Sequence, residues 1–208
     1  MIFSGDLHNL FKKLLQEIER LDIRDETIIN QGDSNIGFYR DSISQLVNEV
    51  NPALKHRNIH LYIVRGNHDD PRFFMGKYLN LFSNIHLVPD YTLLNISGKN
   101  ILFIGGAISV DRVKRKEIEL NNENLAGQMV TYFENEGLRF TPDDRKKIEE
   151  MRGVDIVVTH TAPRWCEPLL NLSNEDDVNL SKELVIERNL MSEILEIIFA
   201  NNYVKYNF

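Results

Sequence analysis

The segment Ile59-His60-Leu61-Tyr62-Ile63-Val64-Arg65-Gly66-Asn67-His68-Asp69 is the most informative stretch of the chain. Its first six residues are mostly aliphatic, aromatic or β-branched. Such a run, too short for a typical helix and followed by glycine, is expected to be a buried strand. A glycine, an amide, an imidazole and a carboxylate follow at Gly66-Asn67-His68-Asp69. In α/β sheets the carboxyl ends of the strands face the ligand crevice, so polar groups placed there are candidates for chemistry.

Working outward, the same pattern recurs. Ile2-Phe3 runs into Gly5-Asp6-Leu7-His8, Thr27-Ile28-Ile29 into Gly32-Asp33, and Val154-Asp155-Ile156-Val157-Val158 into Thr159-His160. Strand ends are thus expected to deliver Asp6, His8, Asp33, Asn67, His68 and His160 to one edge. Helical spacing of Leu10, Leu14, Leu15, Ile18 and Leu21 predicts a helix, and Ile43, Leu46, Val47 and Val50 predict another that stops before Pro52. Thr141 as N-cap and Pro142 at the first helical position open a third, and Leu184 to Ile198 form the last. His86-Leu87-Val88, Thr92 to Ile96 and Ile101 to Ile104 are expected strands, with Ser97-Gly98-Lys99-Asn100 turning between the last two. Tyr203-Val204-Lys205-Tyr206 begins one more. Residues 107–140 are polar and show no period, and residues 164–180 read as a loop. The fold expected is α/β: a layered sandwich of mixed β-sheets flanked by helices, with residues 1–208 as one domain.

The donor types suit cations. Asp6 and His8 are two residues apart, so on an extended backbone both side chains point the same way and can hold one ion. Gly32 permits a tight turn that brings the Asp33 carboxylate inward, and a carboxylate has lone pairs enough to bridge two cations. Asn67 offers a carbonyl oxygen and His160 an imidazole nitrogen. Mixed oxygen and imidazole donors fit Mn, Fe, Zn or Ni better than Ca or Cu(I). The plainer alternatives are helix N-caps for Asp6 and Asp33 and a turn residue for Asn67.

Gly5-Asp6-Leu7-His8, Gly32-Asp33, Gly66-Asn67-His68-Asp69 and Thr159-His160, in that order, resemble the motifs of the calcineurin-like metallophosphoesterases. The resemblance runs over essentially the whole chain. It implies that fold and a site for two divalent metal ions. Asp6 and His8 would hold the first, Asp33 would bridge both, and Asn67 and His160 would hold the second. It further implies hydrolysis of a phosphate mono- or diester by water that the paired ions activate. His68 would protonate the leaving oxygen or stabilise the phosphate, with Asp69 orienting its ring. The implied partner is a phosphorylated small molecule or phosphoprotein.

Two departures bear on activity. The family's last block, Gly-His-x-His, is missing, and the chain ends Tyr203-Val204-Lys205-Tyr206-Asn207-Phe208. A truncated or degenerate member is therefore expected, with each ion short of one ligand and activity weak or absent. The rival is an interaction module that kept the fold without metals or catalysis. Protein phosphatases of the superfamily also carry an Asp-Arg pair three and four residues after the second motif's Asp, where this chain has Ile36 and Gly37. Arg65 precedes Gly66-Asn67-His68 as it does in those phosphatases, which makes it a candidate for substrate binding. Arg112, in the basic cluster with Lys114, Arg115 and Lys116, is a second candidate. The plain reading of that cluster is a solvated helix face.

The formal net charge of −7 gives no general attraction to nucleic acid, which disfavours a nuclease. Cys166 is the only cysteine, so no internal disulfide can form, and an unreactive thiol in a reducing compartment is expected. No signal peptide and no bilayer-spanning apolar run is evident, which points to the cytoplasm. His56, His60 and His86 read as surface or hydrogen-bonded histidines, and Phe73, Phe74 and Tyr78 as core or pocket wall.

Overall fold

Strands whose residues are apolar on both faces need cover on both sides, and the chain meets this with two sheets packed face to face and helices outside. The computed structural model describes residues 1–39, 41–121, 132–166 and 175–208. The first sheet joins β1 (Ile2–Ser4), β2 (Thr27–Asn30), β3 (His60–Val64) and β4 (Ile85–Val88) in that order, all parallel. The second joins β5 (Thr92–Ile96), β6 (Lys99–Ile104), β7 (Ile156–Thr159) and β8 (Tyr206–Asn207). There β5 and β6 are antiparallel, while β7 and β8 continue parallel.

Alternation along each strand sorts its side chains between two cores. Ile29, Val64 and Val88 meet Ile96, Ile101, Phe103, Ile156 and Val158 between the sheets. Their neighbours Ile28, Leu61, Ile63, Ile85 and Leu87 face outward, onto Phe11 and Ile18 of α1 (Phe11–Arg20) and onto Leu46, Val50 and Leu54. On the far side Leu102, Ile104 and Val157 pack on Ile148 of α5 (Pro142–Glu150) and on Met191, Ile194, Leu195 and Ile198 of α6 (Glu175–Asn201).

Pro52 does not stop its helix, contrary to the sequence expectation. α2 (Ser42–Gln45) passes through a π turn at Leu46–Val50 into α3 (Asn51–His56). Proline lacks an N–H and its ring crowds the carbonyl four residues back. The widened turn, in which the Asn51 N–H bonds the Leu46 carbonyl, carries the helix past that obstacle.

The polar region after residue 107 contains α4 (Arg112–Asn121). Its buried Arg115 is ion-paired, so the helix lacks the apolar period that would announce it. α6 starts at Glu175, earlier than Leu184, and residues 167–174 of the expected loop lie outside the described residues. α5 begins as expected, with a capping box in which Thr141 accepts from the Asp144 N–H and the Asp144 carboxylate accepts from the Thr141 N–H. Of the last expected strand, Tyr206–Asn207 pairs with β7. Among the described residues no helix is long and apolar enough to cross a membrane.

Phe103 is 1% exposed and sits in the inter-sheet core. Phe103→Ala is expected to cost about 3–5 kcal/mol of unfolding free energy in a urea titration. A loss below about 1 kcal/mol would contradict this packing.

Candidate metal centre

The site is built on turns that follow β1, β2, β3 and β7. His8, Asn9, Asp33 and Asn35 all hold left-handed backbone, with φ of 42°, 64°, 52° and 60°. Such conformations are unfavourable for residues with a Cβ and persist where surrounding contacts impose them. One such contact is the His8 N–H, which donates to the Asp33 carbonyl at 2.7 Å. The expectation of an extended Asp6–His8 segment is therefore corrected: β1 ends at Ser4 and His8 lies in a turn. The turn still brings the His8 Nε2 to 3.9 Å from Asp6 Oδ2 and 3.8 Å from Asp33 Oδ2.

Two glycines make room for this approach. Gly32 has φ of +110°, and a Cβ there would come within 2.5 Å of the His160 ring. A Cβ on Gly66 would overlap the Asp33 carboxylate and backbone nitrogen. With hydrogen in that place, Asp33 Oδ1 accepts the His68 N–H at 2.9 Å.

Asp33 then faces two ways. Oδ2 looks toward His8 and, beyond it, Asp6, while Oδ1 lies 3.3 Å from His160 Nε2. Asn67 Oδ1 is 2.9 Å from the same His160 nitrogen. The other ring nitrogen, Nδ1, is 2.7 Å from the Gln31 carbonyl, which can only accept, so Nδ1 carries a proton. Nε2 thus confronts two oxygens. Three acceptor atoms at that spacing need a shared positive species between them, either a proton on Nε2 or a cation. Ligating histidines commonly hold their second N–H on a carbonyl in this way, so the residues fit a divalent ion. His8, Asp33 and His68 also each offer an atom within 4.8 Å of the others.

The charges agree with this geometry. Burial works to raise the Asp33 carboxyl, but His160 and the His68 N–H outweigh it and hold it down at about 2. Burial works to lower the His160 imidazole, and Asp33 reverses the balance, leaving it above its ordinary value. His68 is pushed down, chiefly by burial, with help from the cationic Arg115 and from His8 and against Asp33. Its ring stands edge-on to His8 at 5.1 Å and against Phe38 at 5.5 Å, and Phe133 backs Phe38 at 6.4 Å. A lowered pKa makes neutral imidazole the main form near neutral pH.

Three expected site residues are placed differently from the sequence reading. Asp69 is fully buried and turned toward the backbone, where it accepts from Ile36 N–H at 2.8 Å, Gly66 N–H at 2.8 Å and Ser34 N–H at 3.4 Å. It ties the turn after β2 to the turn after β3 instead of orienting the His68 ring. Burial raises its carboxyl to about 6 against those donors. Arg65 is 2% exposed and engaged by Asp90 at 2.9 Å and by the carbonyls of Asn135, Glu136 and Gly137, so its donors are aimed into the protein rather than at a substrate. Arg112 begins α4 and forms an ion pair with Glu183 of α6.

Other residues with a part in the site gave no motif. Asn30 joins the first two turns, donating to the Gly5 carbonyl at 2.6 Å and accepting from Gly32 N–H and the Ser34 hydroxyl. Its place at the end of β2 was the available signal. Ser109, Arg115 and Glu136 form a buried cluster behind Asn67, with nothing local to mark it. His60 and His86 pair with each other at 2.9 Å, and Cys166 is exposed.

A parallel sheet and a mixed sheet between helices, with carboxylate, amide and imidazole groups gathered at strand ends, define the class: an α/β protein with a cluster of groups that could hold a cation. The family model described as calcineurin-like phosphoesterase matches residues 1–189, and the chain belongs to that family. Comparison with curated proteins gives no match.

Gly66→Ala is expected to displace the Asp33 carboxylate and to lower unfolding free energy by about 1–3 kcal/mol in a urea titration. Unchanged stability would show that the carboxylate does not need that glycine. Arg65→Met removes the ion pair to Asp90 and the donors to the carbonyls of residues 135–137, leaving Asp90 with the Gly105 N–H and the Glu136 carbonyl with the Ala107 N–H, and is expected to lower unfolding free energy by about 3 kcal/mol. A stable variant with only a raised KM would instead make Arg65 a substrate contact.

Proposed function

We propose that this chain hydrolyses phosphate mono- or diesters with two divalent cations bound at the cradle. The observation that carries the reading is the pair of Asp33 oxygens, one turned to His8 and the other to His160. Asp6, His8 and Asp33 would hold one ion, and Asp33, Asn67 and His160 the other. Bound ions of this kind lower the pKa of a shared water and offset charge on phosphoryl oxygens. Manganese is a natural first choice for such oxygen and imidazole donors, with Fe, Zn and Ni as the alternatives.

His68 would act on the leaving group. Its half-buried ring beside Asp33 and His8 places a nitrogen close to the cradle, and the imidazolium form, held in part by the Asp33 charge, would pass its proton to the ester oxygen. Asp69 would contribute by holding the backbone on which His68 stands. Since Arg65 is engaged by Asp90 and main-chain carbonyls, and Arg112 by Glu183, the cations and His68 are left as the main phosphate contacts. The substrate would be a phosphorylated small molecule or phosphoprotein, met in a reducing, cytoplasmic setting that the single cysteine suits.

Protein stripped with chelator and titrated with Mn²⁺ is expected to recover at least weak hydrolysis of p-nitrophenyl phosphate or its bis ester in step with metal uptake. Failure to take up any of Mn²⁺, Fe²⁺, Zn²⁺ and Ni²⁺, together with no turnover, would sink the reading. His68→Ala is expected to lower kcat about 10²–10⁴-fold on an alkyl phosphate, whose leaving oxygen needs a proton. The loss should be smaller on a p-nitrophenyl ester, whose leaving group does not. Equal losses on both esters would remove His68 from proton transfer.

A further inference from the structure

An asparagine offers its oxygen to a cation only if its amide is turned the right way, and oxygen and nitrogen ends are nearly equal in shape. In this protein the turn of Asn67 is imposed from behind. Its Nδ2 donates to the Ser109 hydroxyl at 2.7 Å. That hydroxyl donates to Glu136 Oε2 at 2.9 Å, and the Ser109 N–H donates to Glu136 Oε1 at 2.9 Å. Arg115 Nη2 donates to the same Oε2 at 2.8 Å. Ser109, Arg115 and Glu136 are 2%, 5% and 2% exposed.

The proton directions along this chain follow from its far end. Glu136 is surrounded by donors, so its oxygens only accept. Ser109 must therefore give its one hydroxyl proton to Glu136, and the Ser109 oxygen is left to accept. Only the NH₂ end of Asn67 can satisfy it. The amide oxygen is then forced to the opposite side, where it stands 2.9 Å from His160 Nε2. The carboxylate is itself anchored, because Arg65 holds the Glu136 carbonyl at 2.7 Å.

We propose that Ser109 and Glu136, with Arg115 as counter-charge, are positioning residues that lock the Asn67 amide so that its oxygen faces the cation cradle. The benefit to metal binding rests on the reading of Asn67 as a ligand. The lock itself does not, since it is made entirely of hydrogen bonds within this chain.

The test therefore has two arms. In metal-free ¹⁵N-labelled protein the Asn67 side-chain amide, identified by its loss in Asn67→Asp, is expected to be shifted and slow to exchange. Ser109→Ala should abolish that signature and Ser109→Thr, which keeps the hydroxyl, should retain it. In the second arm, Mn²⁺ titration by calorimetry, Ser109→Ala and Glu136→Gln should weaken one of two sites about 10–100-fold and leave the other unchanged, with Ser109→Thr close to wild type. An unaltered Asn67 amide in Ser109→Ala overturns the lock. A lost signature with unaltered Mn²⁺ affinity overturns its role in positioning. Wild-type protein that takes up none of Mn²⁺, Fe²⁺, Zn²⁺ and Ni²⁺ yet shows the protected amide would refute the two-metal reading while supporting the lock.

Discussion

The carboxylate of Asp33 lies directly against the backbone of Gly66, with no room for a side chain between them. That contact fixes the distance between the turns after β2 and β3, and most of the site follows from it. Oδ1 takes the His68 N–H, which sets the turn carrying Asn67 and His68. The Asp33 carbonyl takes the His8 N–H, which sets the turn after β1. His160 reaches the same carboxylate from the second sheet, and Gly32 leaves space for its ring. One residue, through its carboxylate and its carbonyl, thus organises donors from four strands, and the left-handed backbone at His8 and Asp33 is held by the same bonds.

Around this centre lies a layer of buried charge. Asp69 joins two turns through backbone N–H groups, Arg65 holds the carbonyls of residues 135–137, and Glu187 accepts the N–H groups of Ile108 and Leu138. Arg115 and Glu136 complete the layer. Each charge has several partners, which is the condition under which a protein tolerates burying it. Ions in this layer hold loops that have few apolar side chains to hold them. The segment carrying Phe133, which backs Phe38 and so His68, is kept in place in this way.

Much of the fold was legible because its signals are local. Apolar runs ending in Gly-Asp, Gly-Asn-His and Thr-His place β1, β2, β3 and β7 and put their polar ends at one edge. The Thr141-Pro142 start of α5 needed only four consecutive residues. The basic cluster at the start of α4 reads as a solvated helix face, and the structure makes it a helix with Lys114 and Lys116 exposed but Arg115 buried in an ion pair, while the helix around Pro52 was obscured because a π turn absorbs the proline. Asp6, His8, Asp33, Asn67, His68 and His160 all come together, although His8 arrives by a turn and not by an extended strand.

The amino-acid sequence by itself determined which chemical groups stand at the strand ends, because strand patterns and the glycines beside them act over a few residues. Only the tertiary structure decided what the buried charges do. Arg65 and Asp69 sit beside the motif histidine, yet their partners lie as far as 72 residues away for Arg65 and 35 for Asp69. Ser109 meets Asn67 across 42 residues and Glu136 across 27. Contacts of that span are set by how the sheets and helices pack, and no local pattern encodes them.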